Sequence, residues 1–351
     1  MIFFEVAILF FICVTFLMIL WMFINLTIKK VRDGRYKKLK NMADILIRNA
    51  IFLEQTEEIK LIPITARTAK MLSNDNFRSI LTQELLSAKK NISGTAAVNL
   101  ENLYNQLNLD KYAVKRLRSR RWHIKAKAIQ ELGIMGQKTH LNKIYRSTNN
   151  KNDLVRMEAQ TTIVKLYGFE GLRFLDVVSY QISEWQQIKL LQELSRLAPD
   201  NFSGIEKWLN STNMSVIVFA LKLVRNYHRF ELYDRITELL NHPNEVIRLE
   251  AIYTLEKIYT NETSKVLIDK YPLETLKNQK AIVKALQDVG YDDDIPVLIQ
   301  FLGQDENELK RLIVRTIANI NPEGLTEVEN LPQSNQYPLD QIIKQIKGEL
   351  I

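Results

Sequence analysis

Three stretches decide how this chain folds: Ile124-Lys125-Ala126-Lys127-Ala128-Ile129-Gln130-Glu131-Leu132-Gly133, Val155-Arg156-Met157-Glu158-Ala159-Gln160-Thr161-Thr162-Ile163 and Ile247-Arg248-Leu249-Glu250-Ala251-Ile252-Tyr253-Thr254-Leu255. Each reads apolar, basic, two variable residues, alanine, three variable residues, apolar. Carried along the chain, the alanine position falls on Ala128, Ala159, Leu190, Ala220, Ala251, Ile282 and Ile313, at spacings of 31, 31, 30, 31, 31 and 31. Four residues later stand Leu132, Ile163, Leu194, Val224, Leu255, Leu286 and Ile317, all apolar. A second register runs through Phe174, Ile205, Ile236, Leu267 and Leu298. Phase kept over such a length marks a repeated supersecondary unit, which buries its apolar face only by stacking on its neighbours.

Within a unit the apolar residues recur twice at helical spacing. Leu232, Ile236, Leu239 and Leu240 make one helix face and Ile247, Ala251, Leu255 and Ile258 the next; His242-Pro243-Asn244 separates them, since Pro and Asn oppose helix continuation. Similar breaks stand at Asn149-Asn150, Asn210-Ser211 and Gln304-Asp305, and Asp294-Ile295-Pro296 has the residues of a helix start. A small residue at the alanine position lets helices cross at about 8–10 Å. Leu190, Ile282 and Ile313 depart from it and predict wider crossings. The apolar-basic-x-x-Ala-x-x-x-Leu-Gly helix after a short turn resembles the short form of the HEAT repeat, over residues 112–321. That resemblance implies an all-α fold, a HEAT-type α-α superhelical solenoid. Ile92, Ala96 and Leu100 match one degenerate unit upstream.

Outside the repeat, Ile2 to Ile28 is almost wholly apolar, broken by Glu5, Thr15, Asn25 and Thr27. Roughly 20 apolar residues cross the hydrocarbon layer as a helix. With no Lys or Arg before it and no small-residue cleavage site, the run reads as a permanent anchor. Lys29, Lys30, Arg32, Arg35, Lys37, Lys38 and Lys40 follow against the single acid Asp33, which places the N-terminus outside and the rest in the cytoplasm. The single cysteine, Cys13, lies inside the apolar run, as a reducing compartment allows. Met42, Ile45, Ile47, Ala50 and Leu53 continue the helix; Leu61-Ile62-Pro63-Ile64 breaks it, and Phe77 to Leu86 starts another. Asn321-Pro322 ends the repeat, and Leu339 to Leu350 reads as an amphipathic cap. The expected organisation is an anchor at 1–28, a basic and helical lead-in at 29–110, about seven repeats over 111–321, and a cap at 322–351.

Composition excludes several classes. Gly 11 and Pro 8 are too few for a disordered or collagen-like chain, and one cysteine supports neither a disulfide framework nor a cysteine zinc site. The net charge of +8 is largely the juxtamembrane segment and is poor evidence for nucleic acid. His123, His140, His228 and His242 fall in different repeats without ligand spacing. Asp292-Asp293-Asp294 lacks the glycine and distant glutamate of a calcium loop. Gly133 and Gly136 end a repeat helix and lack the Lys-Ser/Thr of a phosphate loop. No nucleophile motif stands out. The expectation is a protein that is not an enzyme and has no cofactor or metal.

One charge cluster exceeds its surroundings. Lys111, Lys115, Arg116, Arg118, Arg120, Arg121, Lys125 and Lys127 fall within 17 residues that contain no acid. A solvated basic turn, an anionic membrane surface, an acidic partner and nucleic acid each fit it, the last least, because no basic stripe continues through later repeats. The recurrent base (Lys125, Arg156, Arg248, Lys310) reads as a structural ladder, with Asp153 and Asp305 placed to pair across the turn. Trp122, Trp185 and Trp208 have the spacing of core aromatics, with Trp185 the one best placed for partner contact because Ser183-Glu184-Trp185-Gln186-Gln187 departs most from the pattern. Exposed positions on the second helices of a solenoid line its binding surface. The candidate surface is therefore Lys111, Lys115, Arg116, Arg118, Arg120, Arg121, Trp122, Lys125, Arg156, Trp185, Gln186, Arg225 and Arg248.

These readings converge on a single-pass inner-membrane scaffold whose cytoplasmic repeats bind a protein partner, itself expected at the membrane. Single-pass anchors followed by short HEAT units resemble bacterial proteins that assist envelope or exopolysaccharide machinery, on segments such as Arg120-Arg121-Trp122-His123-Ile124-Lys125-Ala126. The alternatives are a peripheral binder of anionic lipid headgroups through 111–127 and a nucleic-acid binder like the HEAT-like DNA glycosylases, which needs a basic face with aromatics over a base. HEAT-like bilin lyases share the repeat but need no such anchor.

Overall fold

The computed structural model describes residues 2–53, 61–196, 204–303 and 306–350, the side chains of 2–13 and of Leu350 excepted. The side chains of Glu5 and Cys13, the Gln304-Asp305 break and the pairing of Asp305 lie outside these. Among the described residues every regular element is a helix. The chain forms two compact units, Met1–Tyr167 and Gly168–Ile351.

The first unit contains α1 (Ile2–Ile51), α2 (Ala66–Met71), α3 (Asp75–Asn91), α4 (Gly94–Gln106), α5 (Leu109–Leu117), α6 (Trp122–Ile134), α7 (Leu141–Tyr145) and α8 (Asp153–Tyr167). The apolar run and the basic segment are one unbroken α1 of 50 residues, about 75 Å long at 1.5 Å per residue. It is long and apolar enough to cross a membrane, by length and composition, and its residues 15–38 are exposed. Only at its far end does α1 enter a core. There Ala43, Leu46, Ile47 and Ala50 bury against Phe77, Leu81 and Leu85 of α3 and Leu100, Leu103 and Tyr104 of α4. A second core joins Ala113 and Leu117 of α5, Ala128, Ile129 and Leu132 of α6, Ile144 of α7, and Val155, Ala159 and Ile163 of α8.

The second unit contains α9 (Glu184–Leu194), α10 (Ile205–Leu209), α11 (Met214–Asn226), α12 (Tyr233–Leu239), α13 (Glu245–Leu255) and α14 (Thr263–Lys270). It ends with α15 (Leu276–Val289), α16 (Ile295–Gln300), α17 (Asn307–Ile320), α18 (Gly324–Glu329) and α19 (Leu339–Leu350). Each short first helix packs on the longer one that follows, α10 on α11, α12 on α13, α14 on α15 and α16 on α17. The long helices pack in series, α11 on α13, α13 on α15 and α15 on α17, and α19 closes the last face. Ahead of α9 the first-helix segment is a 3₁₀ run, Gly168–Asp176, which buries Phe169, Leu172 and Leu175 at the three-residue period of that helix.

Every position in the three sequence registers is buried, including Leu190, Ile282 and Ile313 in place of alanine. The turns between paired helices share a grammar of side-chain caps. Asn74, Asn213 and Asn244 cap α3, α11 and α13, each accepting from an N–H of the first turn, and Asn152 accepts from Val155 ahead of α8. Two residues earlier Asn150, Ser211 and His242 each accept from the N–H of the capping residue. Four residues after the cap, Arg78, Arg156 and Arg248 fold back to the carbonyls of Leu72, Asn150 and His242, at 2.7, 2.7 and 2.9 Å. The recurrent base thus staples its own turn, and the ion-pair partner of Arg248 is Glu274, 26 residues on. Asp153 accepts from Leu154 N–H, and Asp294 folds back onto Tyr291 N–H at 2.9 Å without capping α16.

Candidate functional site

The site builds from the second helix of each repeat, where buried and exposed residues share a turn. In α6 the register three residues past the alanine position holds Glu131. In α13 and α17 that register holds Thr254 and Thr316, which bond their own helices at Glu250 O and Leu312 O and reach the preceding long helix at Leu221 O and Val283 O. In α8 it holds Thr162, whose methyl would lie 2.8 Å from a Cβ on Gly133, so α6 and α8 approach closely only because Gly133 has none. Gly136, with φ of +63°, lies just past the end of α6.

Glu131 places a carboxylate in this packed register. Its side chain is wholly buried, accepts from Tyr104 Oη at 2.8 Å and pairs with Arg116 Nη2 at 2.5 Å. Burial pushes the Glu131 carboxyl above the usual carboxylate range against the pull of Arg116 and Tyr104. Burial and the adjacent carboxyl push the Tyr104 hydroxyl up. Arg116 is therefore part of an interior triad, which corrects its assignment to a free surface.

The rest of the 111–127 cluster is solvent-facing. Lys111, Lys115, Arg118, Arg120, Arg121 and Lys127 are exposed and Lys125 is half-buried, and among the described residues none of them makes an ion pair. Trp122, the first residue of α6, is 46% exposed, against the expectation for a core aromatic, and stands edge-on to His123. Arg156 is half-buried and donates to the carbonyls of Asn150 and Lys151.

In the second unit Trp208 is core, its Nε1 donating to Asp176 at 2.8 Å, whereas Trp185 is 61% exposed. Gln186, expected on the surface, is buried, because one residue of helix is a turn of about 100° and Trp185 already points outward. Its neighbour Gln187 is buried too and ties α9 to α11, donating to Ser215 O and accepting from Lys222. Arg248 is likewise committed, donating to Glu274 at 2.7 and 3.1 Å. Arg225 pairs with Glu250 at 3.4 Å and lies 6.0 Å from the Tyr253 ring. It lines a groove of about 460 Å³ with Glu184, Ile188, Lys222, Glu250, Tyr253, Glu256, Lys257 and Lys284.

Sequence reasoning missed one feature. The first turns of successive second helices each expose an apolar residue: Trp122 and Leu154 in the first unit, Trp185, Met214, Val246 and Leu276 in the second. The available signal was an apolar residue directly after each cap, about one repeat from the last. Among the described residues no three His, Cys, Asp or Glu side chains converge as a metal site requires.

No family model matches the chain, and no curated protein matches it. Among solved structures it is similar to the complex of CpcE and CpcF of phycocyanin lyase from Nostoc, at 13% identity over 85% of this chain and 99% of that one, with a TM-score of 0.26. It is similar to Kap121p at 12% identity over 88% of this chain and 49% of that one (TM-score 0.37). It is similar also to a Tumor Overexpressed Gene domain array of microtubule polymerases, structurally characterised for tubulin recruitment, at 13% identity over 92% and 91% (TM-score 0.29). At these identities no family is fixed for this chain.

Proposed function

We propose that this chain is a membrane-tethered, non-catalytic HEAT-type scaffold, with α1 crossing the inner membrane, its N-terminus outside, and the repeats holding a protein partner in the cytoplasm. The observation that carries the reading is the second-helix face of the second unit. There exposed Trp185 and Ile188 stand beside a groove whose bases and acids are only partly paired with each other. An exposed tryptophan next to a charged, concave patch has the composition of an interface centre with a polar rim. The narrower role, assistance to an envelope or exopolysaccharide complex, rests on resemblance alone.

The test is recovery of partners from gently solubilised native membranes with the full-length chain and with Trp185→Ala/Ile188→Ser. One membrane enzyme or transport complex recovered by the wild type and reduced at least tenfold by the variant supports the scaffold; equal recovery by both overturns this face. Protease added to intact cells is expected to leave residues 41–351 uncut, and cleavage there overturns the orientation.

A further inference from the structure

The bases of the repeats are, as a rule, neutralised within the fold: Arg248 by Glu274, Lys257 by Asp288, Lys280 by Glu306, Lys207 by Asp176 and Arg225 by Glu250. The segment 111–127 breaks that rule. It carries eight bases and no acid, and only Arg116 is used internally, on Glu131. Seven like charges crowded at one edge repel each other, and the protein supplies no counter-charge of its own there. Beside them stand two exposed apolar side chains, Trp122 at the start of α6 and Leu154 at the start of α8, on helices packed against each other.

The occupant follows from where this edge is mounted. It belongs to the unit that grips α1, and that helix is continuous from its apolar run into the core at Ala43, Leu46 and Ile47. Between Ile28 and the first half-buried residue, Leu39, the exposed helix spans about 15 Å at 1.5 Å per residue. A bilayer crossed by the apolar run thus lies within a short, stiff distance of this unit. Exposed Trp with neighbouring Arg and Lys is the composition that settles at the headgroup level of an anionic leaflet. Nucleic acid would need a basic track continued by later repeats, where the bases are paired.

We infer that the edge formed by Arg118, Arg120, Arg121, Trp122, Lys125 and Leu154 docks on anionic phospholipid headgroups, making a second membrane contact that orients the first unit. This rests on the reading of α1 as a membrane helix. Two contacts, one spanning and one interfacial, remove the rotation about α1 that a single tether leaves free.

The experiment uses the full-length chain in vesicles of phosphatidylcholine with or without 30% phosphatidylglycerol, the lipids brominated near the headgroup. The emission of Trp122 is taken as the difference between the wild type and Trp122→Phe. Resistance to alkaline carbonate reports insertion of α1 separately. The expected result is at least a twofold loss of Trp122 emission with brominated phosphatidylglycerol present. It is expected to be abolished by 1 M NaCl and by Arg118→Gln/Arg120→Gln/Arg121→Gln, all exposed sites, with insertion unchanged. Unquenched Trp122 in a carbonate-resistant chain overturns the docking alone, and a carbonate-extracted, unquenched chain overturns the anchor as well. A Trp122 response to an acidic peptide or a DNA duplex, without one to phosphatidylglycerol vesicles, overturns the lipid assignment.

Discussion

Replacing Arg116 by Ala is expected to destabilise α5 and α6 sharply, although Arg116 lies in a segment of otherwise dispensable charges. The reason is Glu131, whose side chain is fully buried and whose partners are Arg116 at 2.5 Å and Tyr104 at 2.8 Å. Removing one member of a buried pair costs about 3–5 kcal/mol, because the other charge stays behind. Arg116 is 35% exposed, so water softens the loss, and the lower end, about 3 kcal/mol, applies. At about 1.4 kcal/mol per decade this speeds exchange through local opening roughly a hundredfold. Amide hydrogen exchange read by mass spectrometry over peptides from 109–134, on the full chain in detergent, measures it. Arg118→Ala, at an exposed site without an ion pair, is the control and is expected within about 0.5 kcal/mol of wild type. The pH dependence has a fixed sign. The folded-state pKa of Glu131 is raised, so its contribution to stability is present below the ordinary carboxylate range and is lost as pH rises through the folded value. Loss of Arg116 removes a pull that lowers this pKa, so the variant's deficit is largest near neutral pH and shrinks as Glu131 protonates. Exchange in Arg116→Ala within threefold of Arg118→Ala at neutral pH refutes the reasoning, as does a deficit that grows on acidification.

Arg248→Ala abandons the buried Glu274 carboxylate and two carbonyls of its own turn, and a loss of about 3 kcal/mol is expected in chemical denaturation, against about 1 kcal/mol or less for Arg225→Ala, whose pair is longer. Gly133→Ala sets a methyl 2.8 Å from Thr162 Cγ2 and is expected to cost about 1–3 kcal/mol; the added Thr162→Ala should recover most of it, and a Gly133→Ala protein as stable as wild type counts against the close approach. Asn244→Ala removes the cap of α13 and is expected to cost about 1 kcal/mol by thermal melting. Trp208→Phe loses the bond to Asp176, about 1 kcal/mol, while Trp185→Phe leaves the melting temperature unchanged; equal melting shifts would contradict the core and surface placements.

The sequence by itself determined the features that rest on periodicity. A 31-residue phase named the residues that are buried in every repeat, because an apolar side chain recurring at helical spacing has only one face to hide. The uninterrupted run from Ile2 carried through the basic residues to Ile51, since neither Pro nor a capping residue intervenes, and the final amphipathic helix was legible at Leu339–Leu350 for the same reason. Tertiary structure alone decided what the polar and aromatic residues do. A base in a basic run is indistinguishable from its neighbours until the fold brings Glu131 and Tyr104 to Arg116, from 15 and 12 residues away. Gln186 is buried and Trp185 exposed because their order around the start of α9 depends on how that helix is seated on α11, through Gln187, Ser215 and Lys222. The cation pairs that cross between repeats, such as Arg248 with Glu274, join residues 26 positions apart on different helices. Side-chain spacing within one helix carries no information about them; the distance between stacked helices does.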